Sequence, residues 1–231
     1  MTLPDTLTSP ADLSYNDILD FLKTSDPSAI EHLYKTADRI RAEYVGGEIH
    51  VRALLNFSSY CVRNCLYCGL RQGNSILTRY RMSQDEMVAA ARQAAGQGYR
   101  TLVMQSGEDP YYTEKMLCRI INSIKSSCDI AVTLSAGERP YRTLKAWFQA
   151  GADRYLLKHE TSDPQLYKNL HPDLRYKNRI RVLKNLKEIG YQTGSGIMIG
   201  LPGQTYESVA DDILLFRELD IDMIGCGPYI H

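Results

Sequence analysis

The sequence predicts an α/β fold of the (βα) TIM-barrel type, carried through about six βα units and preceded by a helical extension. Two observations predict it. After Gly46-Gly47, strand-like and helical runs alternate to the end of the chain, which calls for a parallel sheet joined by right-handed crossovers. Polar and glycine-rich groups also follow nearly every strand-like run: Ser58-Ser59, Ser106-Gly107-Glu108, Ser135-Ala136-Gly137-Glu138, Lys158-His159-Glu160 and Gly200-Leu201-Pro202-Gly203. Periodicity alone also admits a doubly wound sheet. The polar strand ends favour the barrel, whose chemistry gathers at the C-terminal ends of its strands.

Taken in order, residues 14–45 read as two amphipathic helices, one opening at Ser14 and one at the cap pair Asp26-Pro27. Strands are expected over 49–57, 101–105, 130–135, 154–157, 193–199 and 221–225. Helices are expected over 84–97, 113–127, 141–150, 176–189 and 206–219, three of them closing on Gly98, Gly151 and Gly190. The division this suggests is a helical extension over 1–48 and a barrel core over 49–231. Two further units would complete an eightfold barrel, so the core is expected to be incomplete on its C-terminal side.

With 44% hydrophobic and 23% charged residues, the 231-residue chain can bury a sizeable core. Lysine plus arginine and aspartate plus glutamate both number 27, which leaves no net positive field to gather nucleic acid or anionic lipid. The first residues carry no cationic and apolar leader, and no apolar run approaches the ~18 residues of a membrane span. A cytoplasmic protein without membrane or nucleic-acid partners is expected.

Cysteine usage is uneven. Three of six cysteines crowd into Cys61-Val62-Arg63-Asn64-Cys65-Leu66-Tyr67-Cys68-Gly69, directly after the first strand. In a reducing compartment such clustering points to metal binding or redox chemistry. Structural zinc ordinarily takes four ligands, whereas an iron-sulfur cluster held by three thiolates keeps one iron open. Spacings of four and three also fit three buried thiols on one helix face, but Ser58-Ser59 and Gly69 interrupt a long helix there. Cys118 and Cys128 read as packing, and Cys226 sits at a strand end where it could face the cavity. His50, His159, His171 and His231 are too dispersed to be read as ligands.

The pattern C-x3-C-x-aromatic-C, with Tyr67 as the aromatic, resembles the signature of radical S-adenosylmethionine enzymes. Tyr80-Arg81-Met82-Ser83, the segments 105–112, 155–161 and 222–228, and Gly200-Leu201-Pro202-Gly203-Gln204-Thr205 resemble the HydE family of FeFe-hydrogenase maturases, and more distantly biotin and methylornithine synthases. The resemblance implies a radical SAM barrel with a 4Fe-4S cluster on Cys61, Cys65 and Cys68, whose fourth iron takes the amino and carboxylate groups of S-adenosylmethionine. One-electron reduction then yields methionine and a 5'-deoxyadenosyl radical. The implied role is assembly of the hydrogenase H-cluster on a small organometallic substrate, with other maturases and an electron donor as partners.

For the cofactor, the resemblance implies Tyr67 of the cysteine motif, Ser106, Gly107 and Glu108 at the methionine amino group, Glu160 on the ribose hydroxyls and Arg179 on the carboxylate. For the substrate it implies Gln105, Thr133 and Lys158, the last standing where relatives usually carry arginine. Strand alternation puts Lys158 and Glu160 on one side and His159 on the other. Plainer readings stay open: a Lys158–Glu160 ion pair at the rim, and a solvated basic face of Lys177, Arg179 and Arg181. So do a biotin-synthase-like or methylornithine-synthase-like enzyme, an inactive cluster-binding fragment and a structural zinc protein.

Overall fold

Short polar residues open most helices in the computed structural model, which describes residues 13–230. Ser14 and Asp17 form a reciprocal capping box before α1 (Tyr15–Lys23), and Asp26 caps α2 (Pro27–Tyr44) with proline at its first position. Ser83 and Glu86 do the same for α3 (Gln84–Gly96), and Thr113 caps α4 (Glu114–Ser127). The remaining helices are α5 (Tyr141–Gln149), α6 (Pro164–Leu170), α7 (Tyr176–Ile189) and α8 (Tyr206–Glu218). Residues 1–12 of the expected extension, and His231, lie outside the described residues.

The strands β1 (Ala53–Ser58), β2 (Thr101–Ser106), β3 (Ala131–Ser135), β4 (Arg154–Leu156), β5 (Gln192–Ile199) and β6 (Met223–Pro228) pair in parallel in sequence order. This is the expected barrel architecture as an arc. Its edges, β1 and β6, do not meet. As expected for about six βα units, the concave face of the described residues is open between these two edges.

Alternation divides the sheet. Leu102, Met104, Val132, Leu134, Tyr155 and Leu157 are buried towards α3, α4, α5 and α7, where Leu117, Ile121, Leu144, Trp147, Leu183 and Leu186 meet them. Each such side chain contributes about 1.5–3 kcal/mol on burial. Cys118 and Cys128 are packed against this core, as read from the sequence. The other face carries Gln105, Ser135 and Leu156 towards the concave side. None of the described helices is long and apolar enough to cross a membrane.

Several boundaries differ from expectation for identifiable reasons. β1 begins at Ala53 because its neighbour first pairs at Ala53↔Leu102; Ile49, without a strand beside it, is 89% exposed. β6 is shifted forward, since Ile221 N–H still closes the turn of α8 on the Phe216 carbonyl while Pro228 pairs with Ile199. The short helix α6, capped by Asp163, was not expected. β4 stops after three residues, yet the chain keeps following β5: Leu157 and Glu160 N–H donate to the Gly194 and Gly196 carbonyls.

Candidate active site

The loop after β1 is held down at several points before it presents any cysteine. Asp109, fully buried, accepts from Ser58 Oγ at 2.7 Å and from Arg81 Nε and Nη2 at 2.8 and 3.1 Å. Burial opposes its ionisation, but Arg81, Ser58 and the Tyr111 N–H outweigh that and hold the carboxyl below its usual range. The Arg81 guanidinium lies 3.8 Å from the Tyr60 ring centroid and 4.6 Å from that of Tyr111. Arg79 donates to the carbonyls of Ser59, Leu70, Arg71 and Asn74, tying both ends of the cysteine loop together.

Cys61, Cys65 and Cys68 are all half-buried and line one cavity of about 250 Å³ at the C-terminal strand ends. Cys61 Sγ accepts N–H groups from Arg63 at 3.4 Å and Glu108 at 3.3 Å, donors that would stabilise a thiolate. Burial pushes the Cys65 thiol up to about 12 and raises that of Cys68. Among the described residues no three His, Cys, Asp or Glu side chains converge as the ligands of one ion would. A cluster seats each thiolate on a different iron, so its three sulfurs need not meet at a single ion.

Eight of the nine other predicted residues, Tyr67, Gln105, Ser106, Gly107, Glu108, Lys158, Glu160 and Arg179, line the same cavity. The exception is Thr133. It sits two residues below Ser135 on the concave face of β3, buried, with Oγ1 unpartnered, and does not line this cavity. Ser106 Oγ donates to the Gly107 carbonyl.

Gly107 permits a close approach, but of the protein to itself. A Cβ there would stand 2.2 Å from the Tyr60 carbonyl oxygen and 2.6 Å from Cys61 Cβ. Glu108 is less available than expected: Oε1 accepts from Arg63 Nε and Nη2 at 2.9 and 2.5 Å, and Oε2 from the Glu138 N–H at 2.9 Å. The carboxylate already tethers the cysteine loop to β2 and β3.

Glu160 has a left-handed backbone with φ 68°, a conformation uncommon outside glycine. It is 7% exposed, its Oε2 has no partner, and burial raises its carboxyl above the usual range. No Lys158–Glu160 ion pair occurs among the described residues; Lys158 runs instead over Gly196 and Gly225. His159 points the other way, as alternation requires, into a fully buried set with Ser195 and Asp212.

Arg179 corrects the solvated-face alternative. Lys177 and Arg181 are exposed, but Arg179 is buried, donating through Nε to Glu138 Oε1 at 2.7 Å and through Nη1 to the Lys158 carbonyl. Cys226 does not face the cavity: with Ile213 and Ile224 it lines an apolar groove of about 600 Å³ on the outer side. Sequence reasoning missed Arg63, Arg79, Asp109 and His171. Only the caps and turns near them carry a local signal; their partners lie up to 104 residues away.

A three-cysteine loop at a strand end, a buried orphan carboxylate in the same cavity and a parallel α/β arc fit a cofactor-dependent enzyme of the TIM-barrel class. The chain belongs to the radical SAM superfamily, whose profile matches residues 55–216. The superfamily uses a 4Fe-4S cluster and S-adenosylmethionine. Over 209 residues the chain is 51% identical to the [FeFe] hydrogenase maturase subunit HydE of Thermotoga maritima, covering 90% of this chain and 60% of that protein. It is 29% identical to the 3-methylornithine synthase of Methanosarcina acetivorans, over 94% of this chain and 62% of that one. The crystal structure of methylornithine synthase (PylB) superposes with a TM-score of 0.85 at 26% identity, over 94% of this chain and 65% of that one. The chain thus spans somewhat under two thirds of the length of these relatives.

The residues fit the superfamily's cofactors on their own chemistry. Three thiols share one cavity wall, backbone N–H groups are aimed at one sulfur, and a buried carboxylate oxygen in the same cavity lacks a donor.

Proposed function

We propose that this chain carries the radical-generating site of a HydE-type maturase, acting in assembly of the FeFe-hydrogenase H-cluster. The observation that carries the reading is the shared cavity of Cys61, Cys65 and Cys68 with the unpartnered Glu160 Oε2. The identity to HydE supports the choice among radical SAM activities.

Cys61, Cys65 and Cys68 would hold the cluster, which when bound and reduced would supply the electron for splitting S-adenosylmethionine into methionine and a 5'-deoxyadenosyl radical. The chain's own residues bind and orient. Glu160 accepts the ribose hydroxyls, its desolvation making both oxygens strong acceptors once ionised. Arg179 faces the same cavity with its guanidinium plane set by Glu138 and the Lys158 carbonyl, so its remaining N–H donors are pre-aimed at the methionine carboxylate. Glu108, engaged by Arg63, acts mainly on the loop, and the Ser106 and Gly107 backbone lies beside the methionine amino group. Gln105 and Lys158 present polar ends to a small organometallic substrate, with Thr133 a layer below. Other maturases and an electron donor are the partners on this reading, and the cytoplasm its place.

Anaerobic reconstitution followed by dithionite and S-adenosylmethionine tests the activity. The reading expects 5'-deoxyadenosine from the chain and none from Cys68→Ala. Addition to a maturation mixture lacking HydE tests the role: recovered hydrogenase activity supports it, and deoxyadenosine without recovery overturns the maturase assignment while keeping the radical chemistry.

A further inference from the structure

Tyr67 Oη lies 3.1 Å from His171 Nε2 and 3.3 Å from Glu160 Oε1. A phenol has one hydrogen, so Tyr67 can donate to only one of them. The other side of the imidazole decides which. His171 Nδ1 is 3.0 Å from the Tyr167 carbonyl, a group that only accepts, so Nδ1 carries the ring hydrogen and Nε2 is a bare acceptor. Burial, aided by the Arg179 charge, keeps the imidazole neutral by bringing it down to about 4. Tyr67 therefore donates to His171 and turns only lone pairs towards Glu160.

The ring cannot turn away from this task. His171 is fully buried, stacks on Tyr167 at 4.1 Å and 21°, and meets the edge of Tyr67 at 5.4 Å and 80°. Its place at the C-cap of α6 delivers it to the cysteine loop, where Leu66 N–H donates to the Leu170 carbonyl. Glu160, meanwhile, has no other donor on either carboxylate oxygen.

We propose that His171 is a positioning residue that withdraws the Tyr67 hydrogen from Glu160, leaving both carboxylate oxygens free for the two hydroxyls of a vicinal diol. This deepens the proposed function and rests on its placing of a ribose at Glu160.

The test is anaerobic equilibrium binding to the cluster-loaded, oxidised protein, using S-adenosylmethionine and its 2'-deoxyribose form. The unaltered protein is expected to prefer the diol. In His171→Phe the phenol turns to Glu160 Oε1, and S-adenosylmethionine binding is expected to weaken about fivefold to tenfold. In a Tyr67→Phe background the same substitution is expected to change nothing. His171→Gln, which places an amide oxygen near the Nε2 position, is expected to restore affinity, and His171→Leu serves as a second variant without an acceptor should the phenylalanine disturb folding. Equal weakening with and without the Tyr67 hydroxyl would reduce His171 to packing and overturn the inference, with the diol preference still standing. Absence of any diol preference in the unaltered protein would overturn the ribose reading and the inference together.

Discussion

Arg179 Nε donates to Glu138 Oε1 at 2.7 Å, with the two side chains 8% and 10% exposed. The pair joins α7 to the end of β3 beneath the cavity. Removing one partner of a buried ion pair leaves an uncompensated charge. Glu138→Ala is expected to cost about 3 kcal/mol, read as a lower midpoint in urea. A loss under about 1 kcal/mol would show that the guanidinium recovers its partner from water.

Gly107→Ala tests the contact between β2 and the cysteine loop. The added Cβ would meet the Tyr60 carbonyl at 2.2 Å, a backbone atom that cannot rotate aside. The loop has to move, and iron retained after anaerobic reconstitution is expected to fall below half that of the unaltered chain. Full iron content would show that the thiols do not depend on this seat.

Asp109→Asn removes the charge that Arg81 and Ser58 grip. A buried, charge-assisted set of this kind contributes about 1.5–3 kcal/mol. Because its folded carboxyl is held below its unfolded value, that stability is present above the ordinary carboxylate pKa and lost as pH falls through the folded one. The variant is expected to unfold more easily at pH 7, and its difference from the parent to shrink below about pH 4. A difference independent of pH would contradict the ion pair.

His171 gives a second pH dependence with its own window. Its imidazole is brought from 6.5 down to about 4, so the unfolded chain takes up a proton that the folded one refuses. Stability is complete above about pH 6.5 and drops as pH falls towards 4, by about 3 kcal/mol in all. His171→Gln should remove that slope from the unfolding free energy. Parallel curves for the two proteins would mean that the imidazole is solvated.

Much of the arc was legible because it rests on local patterns. Strand and helix periodicity placed all six strands, and the Ser14, Asp26 and glycine signals placed helix ends. Cys61, Cys65, Cys68 and Tyr67 were legible because their spacing is itself the motif. What escaped depends on distant pairing. Asp163-Pro164 is a good helix start, but seven residues gave α6 too little period to read, and with it went His171. Arg179 was named from the resemblance, but its burial was not legible beside the exposed Lys177 and Arg181, because its partner Glu138 lies 41 residues earlier. Glu108 looked free because Arg63, 45 residues before it, carried no sign of the tether. The start of β1 was placed too early because an apolar run does not reveal where its neighbour starts.

The central claim is that Cys61, Cys65 and Cys68 hold a cluster which S-adenosylmethionine reaches. It is tested most directly by reconstituting the protein anaerobically with iron and sulfide and recording the electron paramagnetic resonance of the reduced protein with and without S-adenosylmethionine. About four irons per chain and a 4Fe-4S signal that changes on addition, both absent in Cys68→Ala, are the expected result. Folded protein that takes up one zinc and gives no iron-sulfur signal would contradict it.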